Sequence, residues 1–69
     1  MQLSARNQIK GTVKKITEGA VNDEVVIEIA PGVEITSVIT KQSAQSLGLK
    51  EGGAAYAVVK ASNVMVGVE

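Results

Sequence analysis

The stretch EVVIEIAPGVEITSVI, residues 24–39, predicts a β-hairpin. Its first half, residues 24–30, alternates between apolar and other residues, which is typical of a strand with one face toward a core, and the inner face carries Val25, Ile27 and Ile29. In the turn that follows, Pro31 presets the second position of a type II turn and Gly32 accepts the positive φ of the third. Residues 33–39 are then the returning strand.

The residues before this hairpin alternate as well. Over residues 3–16, small or apolar residues share one phase and polar residues share the other, with Ser4 and Arg6 in the polar phase. A period of two predicts a first strand, on which Ser4 and Arg6 point the same way. Residues 17–20 are expected to form the loop before the hairpin.

The periodicity changes after the hairpin. Residues 40–48 predict a short helix, because Thr40 is suited to the N-cap, Ala44 and Leu47 lie three apart on one face, and Gly48 is suited to the left-handed residue that ends a helix.

A glycine-rich turn at residues 50–53 then leads to two more strands, residues 54–61 and 64–68. Five strands with a helix between the third and the fourth is the element order of the OB-fold, a small and partly open barrel. We therefore predict an all-β, OB-like, five-stranded small barrel with one short helix, and a single domain over residues 1–69.

The length of the chain points to a partner. A domain of 69 residues buries only about 60% of the surface of its unfolded chain, and such small folds usually need disulfides, a structural metal or another chain. The sequence has neither cysteine nor histidine, which rules out disulfides and the usual zinc sites. The strands at residues 54–61 and 64–68 carry apolar residues on both faces, so we expect another copy to cover their outer faces.

Composition also narrows the classes of function. Seven basic side chains balance seven acidic ones, and Tyr56 is the single aromatic residue, which argues against the positive groove and stacking platforms of a single-stranded nucleic-acid binder. There is no histidine base, no cysteine nucleophile and no Walker or Rossmann glycine pattern. Four carboxylates are expected in turns or on solvent-facing positions of strands: Asp23, Glu24, Glu28 and Glu34. We therefore expect no enzyme, no nucleic-acid partner and no membrane segment, and a cytoplasmic location.

A set of hydrogen-bond donors remains unexplained by these expectations. Ser4 and Arg6 share a strand face, while Lys60 and Ser62 lie at and beyond the end of the fourth strand. Thr40, Gln42 and Ser43 open the helix, where free backbone N–H groups favour an anion. Each residue also has an ordinary structural explanation, as a solvated side chain, a helix cap or an edge lysine, and spacing alone does not show that they converge.

The motifs that contain these donors resemble a known family. SARNQ with IKGTV, ITSVIT with QSAQSLGL, and VVKAS with VMVGV are similar to the molbindin (Mop) family, whose single domain is the molybdate/tungstate-binding TOBE-type domain. The resemblance covers nearly the whole chain. It implies an OB-like barrel, dimers that assemble into a hexamer (a trimer of dimers), and oxyanions bound at subunit interfaces for intracellular storage or homeostasis.

The resemblance also implies the site residues. The main oxyanion site is carried over to Ser4, Arg6, Thr40, Ser43, Lys60 and the hydroxyl of Ser62. A second site on the symmetry axis is carried over to the backbone of Gly19, Ala20 and Val21. The implied ligand is molybdate or tungstate, with no organic cofactor and no bare metal cation.

The chemistry of the donors agrees with this ligand. Arg6 and Lys60 offer two positive charges to a tetrahedral dianion, and charge-assisted hydrogen bonds are roughly twice as strong as neutral ones. Phosphate carries a proton at neutral pH, and a site made only of donors leaves that proton unpaired at a cost of about 1–3 kcal/mol. Two alternatives stay open: an oligomeric protein-interaction or sensor module, and an OB-type binder of single-stranded nucleic acid.

Overall fold

Four antiparallel strands form one sheet in the computed structural model, which describes Met1 and residues 3–69. The elements of this part of the chain are β1 (Asn7–Glu18), β2 (Asn22–Ala30), β3 (Val33–Thr40), a helix α1 (Lys41–Ser46), β4 (Ala54–Val59) and a 3₁₀ turn (Ala61–Asn63). The prediction of an OB-like, mostly β fold with one short helix between the third and fourth strands is confirmed.

Strand β1 is the centre of the sheet, whose order is β3-β2-β1-β4. Its first half, from Asn7 to Thr12, pairs with β4, and its second half, from Thr12 to Glu18, pairs with β2. Because one strand changes its partner along its length, the sheet curls into a half-barrel. Both edges of the half-barrel, β3 and β4, face the same opening.

A β-bulge at Lys14 explains a break in the sequence pattern of β1. Val13 pairs with Ile27 and Lys15 pairs with Val26, so Lys14 is the extra residue. The bulge shifts the phase by one, which brings Ile16 to the same side as Val13. The displaced Lys14 ammonium reaches across β2 to the carboxylate of Glu34 at 2.5 Å, and this hydrogen bond raises the pKa of Lys14.

The core is small and lies inside the curl. Val13, Val25, Ile27 and Ala57 are buried, and further side chains pack partly buried against them: Ile16, Ile29, Ile35, Ile39, Leu49 and Ala55. The inner face predicted for the second strand is thereby confirmed. With four buried side chains from three strands, the core depends on the curl of β1, since a flat sheet would not bring β4 over β2.

The turn before β4 extends the pairing of β1. The Val13 N–H donates to the Gly53 carbonyl at 2.8 Å, and the Gly52 N–H donates to the Val13 carbonyl at 2.8 Å. Further along, the Ile16 N–H donates to Glu51 Oε2 at 3.1 Å. The backbone of this turn and the Glu51 carboxylate thus provide hydrogen-bond partners for the backbone of β1 beyond the start of β4.

The predicted turn and helix signals are mostly confirmed. Gly32 has φ 77° in the hairpin turn and Gly48 has φ 64° after the helix. Thr40 caps α1, whose buried residue is Ala44. The prediction for Leu47 is wrong, because this side chain is 70% exposed and Leu49 packs against the core in its place.

The predicted bounds of the first and fourth strands are wrong. The first strand begins at Asn7, so Ser4 and Arg6 precede it, and the fourth strand ends at Val59. These two errors have one cause: Asn7 and Val59 are the last pair of the β1–β4 ladder, and beyond it neither chain segment has a partner.

The predicted fifth strand is also wrong for the part of the chain described. Residues 64–68 have no strand partner, and Val64, Met65, Val66 and Val68 are 51–94% exposed. In a sheet ordered β3-β2-β1-β4 a closing strand belongs between β3 and β4. That place is an apolar cavity of about 350 Å³, lined in part by Ser37, Ile39, Tyr56 and Val58.

No α-helix of the described residues is long and apolar enough to cross a bilayer.

The change of partner along β1 requires glycine at position 11. A Cβ there would lie 2.5 Å from the Glu28 carbonyl oxygen and 2.7 Å from Ile27 Cγ2. Gly11→Ala is therefore expected to lower the free energy of unfolding by roughly 2 kcal/mol, as other overpacking substitutions do. Urea denaturation at fixed chain concentration measures the loss. Lys10→Ala, at the exposed neighbouring position, should stay within about 0.5 kcal/mol of the parent, and equal stability of the two variants would contradict the close approach.

Candidate functional site

The end of the β1–β4 ladder brings together half of the predicted site. Arg6 and Lys60 each lie one residue beyond the Asn7–Val59 pair. Lys60 is the N-cap of the 3₁₀ turn that contains Ser62, and Ser4 lies two residues before Arg6. All four side chains are exposed. We call Ser4, Arg6, Lys60 and Ser62 the cationic end.

The two cations of this end are available to a ligand. The ion pairs of the described residues use Lys14, with Glu28 and Glu34, and Lys41, with Glu18 and Asp23. Arg6 and Lys60 take part in none of them. Two uncompensated positive charges at the close of one strand pair are suited to an anion of charge −2.

The start of α1 brings together the other half. Thr40 Oγ1 accepts from the Ser43 N–H at 3.0 Å and donates to Ser43 Oγ at 2.7 Å. Since a hydroxyl has one proton and two lone pairs, this arrangement leaves the proton of Ser43 Oγ for another acceptor. We call Thr40 and Ser43 the hydroxyl pair. The structure thus places these two residues in contact.

One copy of the chain does not bring the two halves together. The cationic end lies at the start of β1, whereas Thr40 pairs with Asn22 beside the far end of β1. The first and last of the 12 residues of β1 would lie roughly 36 Å apart in a straight strand, at about 3.3 Å per step. Although the curl shortens this distance, the halves remain at opposite ends of the central strand. Their convergence stays a prediction that requires a second copy.

The loop predicted for the second site adjoins the hydroxyl pair. Gly19, Ala20 and Val21 connect β1 to β2, and the Lys41 N–H donates to the Val21 carbonyl at 2.8 Å. The Gly19 N–H is already used, because it donates to the Asn22 carbonyl at 2.9 Å. Backbone donors for an anion would therefore have to come from Ala20 and Val21, and no side-chain donor of the loop adds to them.

The sequence did not predict an ion pair beside this loop, whose carboxylate is buried. Asp23, expected in a turn or on a solvent phase of a strand, has a side chain only 4% exposed, and its Oδ1 lies 3.2 Å from Lys41 Nζ. Glu18 lies 3.5 Å from the same ammonium. The hydrogen bond to Asp23 is the main cause that raises the pKa of Lys41. The signal was present, because Asp23 shares the phase of Val25 and Ile27, the inner face of β2.

The chain was compared with known proteins. A family model described as TOBE domain matches residues 3–66. Molybdenum-pterin-binding protein 2 of Clostridium pasteurianum is 52% identical over 66 residues, which are 96% of this chain and 97% of that protein.

Two solved structures are similar in fold as well as in sequence. The cytoplasmic molybdate-binding protein ModG, solved with molybdate bound, superposes with a TM-score of 0.93 at 55% identity, over 100% of this chain and 49% of that chain. A molybdate-binding protein from Sporomusa ovata superposes with a TM-score of 0.88 at 36% identity, over 96% of this chain and 97% of that chain. With a family match along most of its length and relatives this similar, the chain belongs to the TOBE domain family.

Proposed function

We propose that residues 1–69 form a single domain that binds molybdate or tungstate between copies of the chain. The observation that carries this proposal is the cationic end, where Arg6 and Lys60 flank the last β1–β4 pair and are free of carboxylate partners. The relatives named for molybdenum or molybdate support the ligand class. The role we propose is storage or homeostasis of the oxyanion in the cytoplasm, with no catalysis, organic cofactor, nucleic acid or membrane involved.

The chemistry of recognition follows from the donors. Arg6 presents a planar fork of N–H groups and Lys60 a point charge, so together they neutralise a dianion while Ser4, Ser43 and Ser62 supply neutral donors. The site offers no carboxylate to accept the proton that phosphate keeps at neutral pH, which favours the unprotonated molybdate over phosphate. Sulfate lacks that proton, and only the spacing of the donors separates it from the larger molybdate.

The position of the two halves supports a site made by two copies. The hydroxyl pair of one copy is proposed to meet the cationic end of another. The exposed apolar tail at residues 64–68 and the open edges β3 and β4 give such copies a surface to bury. We propose a hexamer, arranged as a trimer of dimers, with the Gly19–Val21 backbone forming the second kind of site near the symmetry axis.

An oligomeric protein-interaction or sensor module remains the second candidate. Its support is the apolar face that β4 leaves exposed beside the cavity between β3 and β4, where Tyr56 is 49% and Val58 is 42% exposed. The oligomer uses apolar surface of this kind too, so the face alone does not favour a foreign partner. Binding of single-stranded nucleic acid has less support, since one tyrosine does not make a stacking platform.

The assembly gives a direct prediction. At micromolar concentration, light scattering of the whole chain should give a mass near six times the 7.1 kDa of one chain, because the small core and the exposed tail need a partner. A mass of one chain at all concentrations would contradict both the assembly and the shared site.

Removing either cation tests the ligand. Arg6→Ala and Lys60→Ala should each weaken molybdate binding in titration calorimetry by roughly 30-fold to several thousand-fold, which corresponds to the 2–5 kcal/mol typical of a buried charge pair that loses one member. Each variant should keep the mass and unfolding midpoint of the parent, since neither side chain is in the core. The matched control is Lys10→Ala, which removes the same charge from the same end of β1. If all three variants bind molybdate alike, the cationic end is not the site.

Mixed assemblies test whether two copies share one site. Arg6→Ala inactivates one half, and Ser43→Glu inactivates the other by placing a carboxylate beside the ligand. Ser43→Glu should still fold, because glutamate three residues after the Thr40 cap completes a capping box. When the two inactive variants are unfolded, mixed equally and refolded, about a quarter of the sites should regain two unaltered halves if each site uses two copies. Molybdate titration counts these sites, and a site within one copy would give none.

A further inference from the structure

The ion pair between Asp23 and Lys41 supplies no donor to the site described above. It adjoins the hydroxyl pair, because Lys41 directly follows Thr40 in the chain. Asp23 is on β2 with its side chain 4% exposed, and Lys41 is the first residue of α1 with its side chain 30% exposed. Their charged atoms lie 3.2 Å apart. The Gly19 N–H also points to Asp23 Oδ1, at 3.4 Å. The carboxylate thus joins β2, the loop after β1 and the helix.

Lys41 connects the two predicted oxyanion sites through its own backbone. Its N–H donates to the carbonyl of Val21 in the loop, and the residue before it is Thr40 of the hydroxyl pair. Fixing Lys41 at both its backbone and its ammonium therefore fixes where Thr40 points, and Thr40 in turn holds Ser43 through two hydrogen bonds.

Apart from the backbone pairing of Thr40 and Lys41, few contacts hold the start of the helix. Helix α1 has six residues, of which Ala44 alone is buried, and a helix this short is not stable without tertiary contacts. Its polar side chains Gln42, Gln45 and Ser46 are exposed. The Lys41 ammonium, 3.2 Å from Asp23 and 3.5 Å from Glu18, ties the side chain of the first helical residue to the sheet.

We propose that Asp23 and Lys41 are positioning residues, which hold the hydroxyl pair at the spacing that a molybdate ion requires. The inference rests on the proposed function. It assigns to these residues the discrimination of molybdate from sulfate, since the two dianions differ in size and only the placement of the donors tells them apart. Without the pair, the helix start moves relative to the loop, and the site discriminates less between molybdate and sulfate.

The test uses variants that keep shape and remove charge. Lys41→Met keeps most of the stem, Lys41→Arg keeps the charge, and the double variant Asp23→Asn/Lys41→Met leaves no unpaired charge buried, so that it folds even if Lys41→Met does not. The control is Lys14→Met, which removes an ion pair of similar geometry, Lys14 with Glu34, at a site remote from the hydroxyl pair.

Titration calorimetry with molybdate and with sulfate gives the first readout, on variants whose oligomer mass equals that of the parent. Lys41→Met and the double variant should lose about 10- to 100-fold in molybdate affinity, the range seen when outer-shell partners of bound ions are removed, and less in sulfate affinity. Lys41→Arg and Lys14→Met should retain the parent's ratio of the two affinities. A general loss of stability would not change that ratio.

Amide hydrogen exchange without ligand gives the second readout. In Lys41→Met the Ser43 amide should exchange at least about tenfold faster than in the parent, whereas Lys14→Met should leave it unchanged. Unaltered exchange together with an unaltered affinity ratio would overturn the positioning role. Failure of the unsubstituted protein to bind molybdate would instead overturn the proposed function, and the exchange rates would still decide whether the pair fixes the helix start.

Discussion

The core of this small fold depends on the pairing of β1 with two different strands along its length. The strand holds β4 by its first half and β2 by its second. Gly11 permits the close approach of β2 at the crossing point, and the bulge at Lys14 turns the second half so that Ile16 joins Val13 inside. Because of this curl, Ala57 of β4 reaches Val25 and Ile27 of β2, and a core exists at all.

The same geometry separates the functional groups. The free cations lie where the β1–β4 ladder ends, and the hydroxyl pair lies where β3 passes into the helix, beside the other end of β1. No hydrogen bond or ion pair of the described residues joins the two ends. The assembly that we propose would serve two needs together, since it would cover the apolar tail and edges and bring the opposite ends of different copies into contact.

Charge is divided within the chain according to function. Lys14 and Lys41 each bind two carboxylates and serve the fold, by bracing the sheet and the helix start. Arg6 and Lys60 have no carboxylate partner among the described residues, and they are the cations of the oxyanion site that we propose. A net charge of zero therefore does not describe the site, because the acidic residues that balance the total are placed elsewhere. The buried Asp23 belongs to the first group, and through Lys41 it connects the sheet to the hydroxyl pair, at the other end of β1 from Arg6 and Lys60.

The sequence by itself determined the strands with a clear period of two, the hairpin turn at Pro31 and Gly32, the capped helix after Thr40, and, through its motifs, the candidate site residues. These features depend on neighbouring residues, whose conformational preferences are local. The tertiary structure decided where ladders end, because a strand stops where its partner stops: this placed Ser4 and Arg6 outside β1 and left residues 64–68 unpaired. It also paired Asp23 with Lys41, because these two residues are distant in the sequence and only the fold brings them together.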